Sequence, residues 1–164
     1  MNLEQMKIHM TDIVQEVSLK YKGGESYFNE IDERIKKDIY FLSFYFKYVY
    51  NQTHNPIILS GEIGEKIIKF QYLKIIPLVP ILVVNGKLRK NNNITYIKFY
   101  PIDYSFSDKT QFTMFDDSYY SGKTVNKVRK ELNNIGCVLK NIYVFYDGSI
   151  VNKDNVKSLY RYYK

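Results

Sequence analysis

The sequence predicts an α/β fold: a mostly parallel, Rossmann-like sheet of about five strands flanked by helices, with an N-terminal helical segment and a C-terminal tail. Two observations predict it. From Pro56 onward, short apolar runs alternate with turns or amphipathic stretches, the sequence sign of a mostly parallel sheet. Before Pro56 the apolar residues return at helical spacing instead. A chain of 164 residues can bury most of its apolar surface in one core, so one domain is expected, with a helical part at 1–55, a core at 56–148 and a tail at 149–164.

The elements follow in order. Leu3, Met6, Met10, Ile13, Val14 and Val17 share one helical face, and the Gly23, Gly24 pair ends that segment. A second helix is expected over 27–50, with Phe28, Ile31, Ile35, Ile39 and Leu42 on one stripe. Its last part, FLSFYFKYVY, is apolar or aromatic on nearly all sides, which suits deep packing more than a pocket wall or a homodimer contact. Strands are expected at 57–60, 81–84, 94–99, 112–115 and 142–146. Helices belong near 65–76 and 124–135, the second stopped by Gly136.

Composition narrows the function classes. The one cysteine, Cys137, has no partner for an internal disulfide and points to a reducing compartment. The longest apolar run, IIPLVPILVV over 75–84, is too short to span a bilayer and holds two prolines, and no secretory segment opens the chain. A cytoplasmic protein without a membrane partner is expected. Its net charge of +7 attracts polyanions, but no known nucleic-acid motif accompanies it, so a solvated basic surface is favoured over nucleic-acid binding.

The most informative stretch is TMFDDSYYSGKTVNKVRKEL, residues 113–132. An apolar strand end runs into Asp116 and Asp117, then a hydroxyl-rich loop with one glycine, then a helix marked by Val125, Val128, Leu132 and Ile135. Amides at a helix N-terminus are unpaired and lie at the positive end of its dipole, so an anion is stabilised there. Ser121 and Thr124 add hydroxyl donors, and Gly122 permits close backbone approach. Gly122, Lys123 and Thr124 also close the nucleotide-binding pattern G-x-x-x-x-G-K-[ST], but Asp117 stands where that pattern needs its first glycine. Carboxylates suit a sugar diol better than a triphosphate. An ordinary strand-to-helix turn with a polar cap explains one of these polar residues, not five.

These residues resemble the signature of the type I phosphoribosyltransferases, D-[DE]-x-x-x-[TS]-G-x-[TS], which stands here as Asp116, Asp117, Ser118, Tyr119, Tyr120, Ser121, Gly122, Lys123 and Thr124. The resemblance implies that Asp116 and Asp117 hold the ribose hydroxyls of 5-phosphoribosyl 1-pyrophosphate (PRPP) and are the metal-side acids for Mg2+, while Ser118 to Thr124 wrap the 5-phosphate. It implies pyrophosphate release as a nitrogen acceptor attacks C1. It also places the pyrophosphate on the turn after the first core strand, where Ser60 and Gly61 match by position and order. Glu62 and Glu65 depart from that pattern: they face solvent, hold magnesium, or mark a degenerate leaving-group site.

Lys87, Arg89 and Lys90 match the family's basic, pyrophosphate-covering loop, although this one is short and a solvated hairpin turn explains it equally well. A variable hood holds the acceptor in this family, which implies that role for the N-terminal helices and the tail. Tyr146 and Asp147 are placed to stack on or hydrogen-bond a planar acceptor, or simply to end a strand. Members acting on 6-oxopurines carry an aspartate where Tyr120 stands, so hypoxanthine and guanine are not expected as efficient acceptors. His9, His54 and Cys137 receive no role. The alternative is a PRPP-sensing regulator or nucleic-acid-binding protein that has lost turnover; a P-loop nucleotidase fits least.

Overall fold

In a computed structural model, which describes residues 1–74, 79–85, 95–99 and 107–163, the chain forms a three-layer α/β domain. Helix α1 (Leu3–Lys20) opens with a capping box in which the Asn2 side chain takes the Gln5 amide and the Gln5 side chain takes the Asn2 amide. The single helix expected over 27–50 is two: α2 (Gly24–Lys37) and α3 (Ile39–Thr53). Asp38 makes the break. Its carboxylate accepts the Phe41 amide at 3.1 Å as the cap of α3, and its other oxygen lies 2.9 Å from His9 Nε2. A good N-cap outcompetes the unbroken apolar stripe that the spacing suggests.

The sheet order is β3-β2-β1-β4-β5-β6, from β1 (Ile57–Ser60), β2 (Ile81–Asn85), β3 (Thr95–Phe99), β4 (Gln111–Tyr119), β5 (Val138–Asp147) and β6 (Lys157–Arg161). All neighbours pair in parallel except β3 with β2. The expected five strands are present, and the tail adds a sixth. Its segment KSLYR is too short and polar to read as a strand alone, but Leu159 is buried and Tyr160 lies against Tyr146.

Helices α1 to α3 and α4 (Gly61–Tyr72) cover one face, joined in a core by Met10, Ile35, Phe46, Ile67, Phe115 and Phe145. Helix α5 (Lys123–Asn134) covers the other through Val125, Val128 and Leu132 against Met114, Ile142 and Val144. Each such side chain contributes about 1.5–3 kcal/mol on burial, so both faces are firmly held.

One irregularity positions the site. Strict alternation sends Phe115 and Tyr119 to the same face, yet Phe115 packs under α3 while Tyr119 packs with α5. On β5 the successive Phe145 and Tyr146 both join the α1 to α4 core. The register between β4 and β5 shifts once, between Phe112 and Thr113, and beyond it Asp116 stands opposite Val144 and Ser118 opposite Tyr146, so the change of face is shared. It re-aims the residues just beyond Asp116, as local breaks in alternation beside ligand sites do.

Candidate active site at the strand-order switch

Strand order reverses between β1 and β4, whose pairing is Ile57 with Thr113 and Ile58 with Met114. Beyond that level, at the carboxyl ends of the strands, lies a cavity of about 780 Å³. This is where open α/β sheets bind ligands. The cavity is lined by Ser60 and Gly61 from the β1 to α4 junction and by every residue from Asp116 to Thr124.

The two acids are fixed by the chain itself. Asp116 Oδ1 accepts the Asp117 amide at 2.9 Å, and Asp117 Oδ1 accepts the Ser118 amide at 2.8 Å. Both residues are half-buried. Gly122 caps α5 with φ of +81°, and the Lys123 amide reaches Ser121 Oγ at 3.4 Å. No acidic residue stands in the first turn of α5, so its positive end is not offset from within the helix.

Tyr119 and Tyr120 part company. Tyr119 ends β4, is buried, and donates its hydroxyl to Asp154, which also pairs with Arg129 at 3.2 Å. Burial, then Asp154, push the Tyr119 phenol well above its ordinary value, so it remains a donor. A Cβ on Gly122 would lie 3.0 Å from Asp154 Oδ2, so this tail residue is packed against the loop. Tyr120 instead turns toward α2. Its ring lies edge-on to Phe28 at 5.1 Å and close over Gly148, where a Cβ would come within 2.6 Å. Its hydroxyl donates to Asp32 Oδ1 at 3.3 Å.

Helix α2 brings residues to the site that no local spacing singles out. Asp32 lies against Tyr120 with the Ser118 hydroxyl alongside, and its carboxyl is raised to about 7 by burial first and by the Asp117 charge second. One helical turn on, Lys36 lines the cavity, 3.2 Å from Glu62 and 3.3 Å from Glu33. Burial alone would lower its pKa, but Asp117 and the bonds to Glu62 and Glu33 carry it above the ordinary value. Lys66 of α4, also on the cavity, donates to the Lys36 carbonyl at 2.6 Å. Asp32 and Lys36 stand at i and i+4, a spacing that reads in sequence as an ordinary solvated helix face.

Strand β1 enters α4 directly, with Gly61 at φ +64° as its first residue, so the expected loop is a tight junction. Glu62 and Glu65 both line the cavity, and Glu62 is the partner of Lys36. Tyr146 and Asp147 are not brought to the cavity. Tyr146 is buried and stacked on Tyr160 at 5.7 Å. Asp147, also buried, accepts the Ser149 amide at 2.9 Å and the Ser149 hydroxyl at 2.5 Å, with Arg161 at 3.9 Å, and so joins β5 to the tail. Lys87, Arg89 and Lys90 lie outside the described residues.

Among the described residues no group of three or more His, Cys, Asp or Glu is placed to hold a metal ion. Two adjacent carboxylates on a cavity nevertheless fit Mg2+, which is commonly held by one or two carboxylates with substrate oxygens completing its shell. No helix among the described residues is long and apolar enough to cross a membrane.

No protein-family model and no curated protein matches the chain. Solved structures do. Leishmania donovani UMP synthase matches with a TM-score of 0.51 and 13% identity over 76% of this chain and 27% of that one. Francisella tularensis orotate phosphoribosyltransferase gives 0.51 and 11%, covering 75% of this chain and 66% of that one. The adenine phosphoribosyltransferase of Thermoanaerobacter pseudethanolicus gives 0.50 and 13%, covering 78% and 84%. The chain has a type I phosphoribosyltransferase-like fold, and at these identities the likeness concerns the fold alone.

Proposed function

We propose that this protein binds PRPP at the strand-order switch and transfers its phosphoribosyl group to a nitrogen acceptor, releasing pyrophosphate. The observation that carries this reading is that Ser60, Gly61 and the whole segment Asp116 to Thr124 line one cavity. The 5-phosphate lies on the amides at the start of α5, with the Ser121 and Thr124 hydroxyls as further donors. Asp116 and Asp117 hold the ribose hydroxyls through charge-assisted hydrogen bonds. Pyrophosphate lies toward the Ser60, Gly61 junction, and Lys36 and Lys66 supply the cations on that side. Lys87, Arg89 and Lys90 are proposed to cover it.

The acceptor nitrogen forms its bond to C1 with its lone pair while the C1–O bond breaks, its electron pair leaving with pyrophosphate, and the proton of an N–H acceptor passes to the departing pyrophosphate or to solvent. Positive charge builds on the ring, as in glycoside cleavage, and the nearby carboxylates stabilise it. A magnesium ion held by Asp116 and Asp117 with the substrate's own oxygens would neutralise the departing pyrophosphate. Helix α2 forms the hood over the acceptor, while the tail is held to the sheet through β6. Tyr120 is a protonated phenol, held above its ordinary pKa by burial first and by Asp32 second, so it is a poor base.

A second reading, a PRPP-binding regulator without turnover, is favoured by Glu62 and Glu65, which place carboxylates where pyrophosphate would lie. Pyrophosphate release from PRPP and Mg2+ with a panel of bases separates the two. Turnover with at least one base, but not efficiently with hypoxanthine or guanine, supports the transferase; PRPP binding without release supports the regulator. In a transferase, Asp117→Asn lowers kcat more than PRPP affinity, because the carboxylate matters most as the ring becomes cationic.

A further inference from the structure

We propose that Asp154, in the turn before β6, is a positioning residue for the 5-phosphate: its carboxylate ties the entry of the phosphate loop to α5 and holds the loop amides in their binding arrangement before a ligand arrives. The inference rests on the PRPP reading and adds to it a residue that touches no substrate.

Both oxygens of Asp154 are engaged. Oδ2 accepts the Tyr119 hydroxyl at 2.5 Å, and Oδ1 takes the Arg129 guanidinium at 3.2 Å. Tyr119 is the last residue of β4 and lines the cavity, and Arg129 stands in the second turn of α5, so one carboxylate spans the loop from its entry to the helix beyond it. A main-chain bond doubles the tie at the entry, the Gly148 amide donating to the Tyr119 carbonyl at 2.9 Å. The turn that carries Asp154 is itself closed. The Asn152 side chain donates to the Val156 carbonyl and accepts the Val156 amide, both at 2.8 Å, and Val156 is buried among the apolar residues under α5.

The turn lies directly against the loop. A Cβ at Gly122 would stand 3.0 Å from Asp154 Oδ2 and 3.2 Å from Lys153 Cε, which leaves no room for a side chain between them. The Asp154 side chain is only 9% exposed. A carboxylate this close to a phosphate site opposes anion binding through its charge, even with Arg129 beside it, so its use lies in geometry. It supplies two acceptor oxygens at fixed positions, where a neutral Asn offers one and keeps only one limb of the tie. A loop held in advance loses little conformational freedom when the phosphate binds, and that appears as affinity.

The test is calorimetry of wild type, Asp154→Asn, Tyr119→Phe and the double variant with ribose 5-phosphate and with PRPP and Mg2+, alongside the unfolding midpoint of each protein. Each single variant is expected to bind both ligands about threefold to tenfold more weakly, the scale of one hydrogen bond lost. The factor is the same for the two ligands, because the 5-phosphate is what they share. The double variant loses no more than the weaker-binding single, because cutting either limb already breaks the tie. A role in stability alone would lower the midpoint and leave the affinity of the folded protein unchanged. That result, tighter binding in Asp154→Asn, or losses that add in the double variant would overturn the assignment and leave the PRPP reading standing. If Asp154→Asn does not fold, Tyr119→Phe, which keeps the buried ring, decides alone by whether both affinities fall together. Absence of ribose 5-phosphate binding in the wild type would sink both.

Discussion

The Lys36 ammonium lies 3.2 Å from the Glu62 carboxylate, tying the last turn of α2 to the first turn of α4 at the cavity. Lys36 is only 14% exposed and Glu62 is 69% exposed, so the cation is held in place while its partner can exchange with solvent. An exposed carboxylate adds little stability, about 0–1 kcal/mol, and is readily replaced by a stronger anion. Lys36→Met is therefore expected to weaken PRPP binding about tenfold, roughly one charge-assisted contact. Glu62→Gln is expected to leave binding equal or tighter. Isothermal calorimetry on the two variants checks this; weaker binding in Glu62→Gln would mean that the glutamate is itself a ligand or metal contact.

Asp32 gives a stability prediction independent of any substrate. Its folded-state carboxyl is raised to about 7, against about 3.9 in an unfolded chain. Between those values the folded protein keeps a proton that the unfolded chain has lost. The stability from this group is thus full below about pH 4 and is lost as pH rises through about 7. Asp32→Asn should match wild type near pH 3.5 and exceed it at pH 8 by on the order of 2 kcal/mol. Urea unfolding at both pH values reads the difference, and an identical offset at each would show that Asp32 ionises as an ordinary carboxylate.

Gly122 tests the packing beneath the phosphate loop. Alanine there would occupy a left-handed conformation at φ +81° with its Cβ 3.0 Å from Asp154 Oδ2 and 3.1 Å from the Tyr119 hydroxyl. The backbone term alone costs roughly 1–2 kcal/mol, and the contacts add to it. Gly122→Ala should lower the thermal midpoint by several degrees, about 2–6 °C for a domain of this size. An unchanged midpoint in differential scanning calorimetry would contradict the placement of Asp154 against the loop.

What the sequence made legible was whatever local spacing determines. The apolar run at Ile57, the stripe of Val125, Val128 and Leu132, and the acid, hydroxyl and glycine order from Asp116 to Thr124 needed no tertiary information. Asp38 was missed because a cap and a solvent-facing helix residue look alike until the chain bends. The strand at Lys157–Arg161 was missed because its apolar content is small and it is held by pairing with β5 and by Tyr146. Asp32 and Lys36 were invisible for another reason. Their partners Tyr120 and Glu62 are distant in sequence, and only the packing of α2 over β4 and α4 brings them together. Tyr146 shows the reverse error: a residue at a strand's carboxyl end looks available, but the shared change of face on β4 and β5 buries it.

The central claim, that the segment from Asp116 to Thr124 is a ribose 5-phosphate site, is tested most directly by calorimetric titration of wild type and the Ser121→Val, Thr124→Val double variant. PRPP and ribose 5-phosphate are the ligands and ATP the control, each with and without Mg2+. Both hydroxyls are on the loop and the α5 start, away from the buried core, so the double variant is expected to fold normally. The account predicts that wild type binds PRPP and ribose 5-phosphate in preference to ATP, and that the double variant loses at least tenfold in affinity for both, about 1–2 kcal/mol for lost hydrogen bonds to a charged group. Undiminished affinity in the double variant, or tighter binding of ATP than of PRPP by wild type, would contradict it.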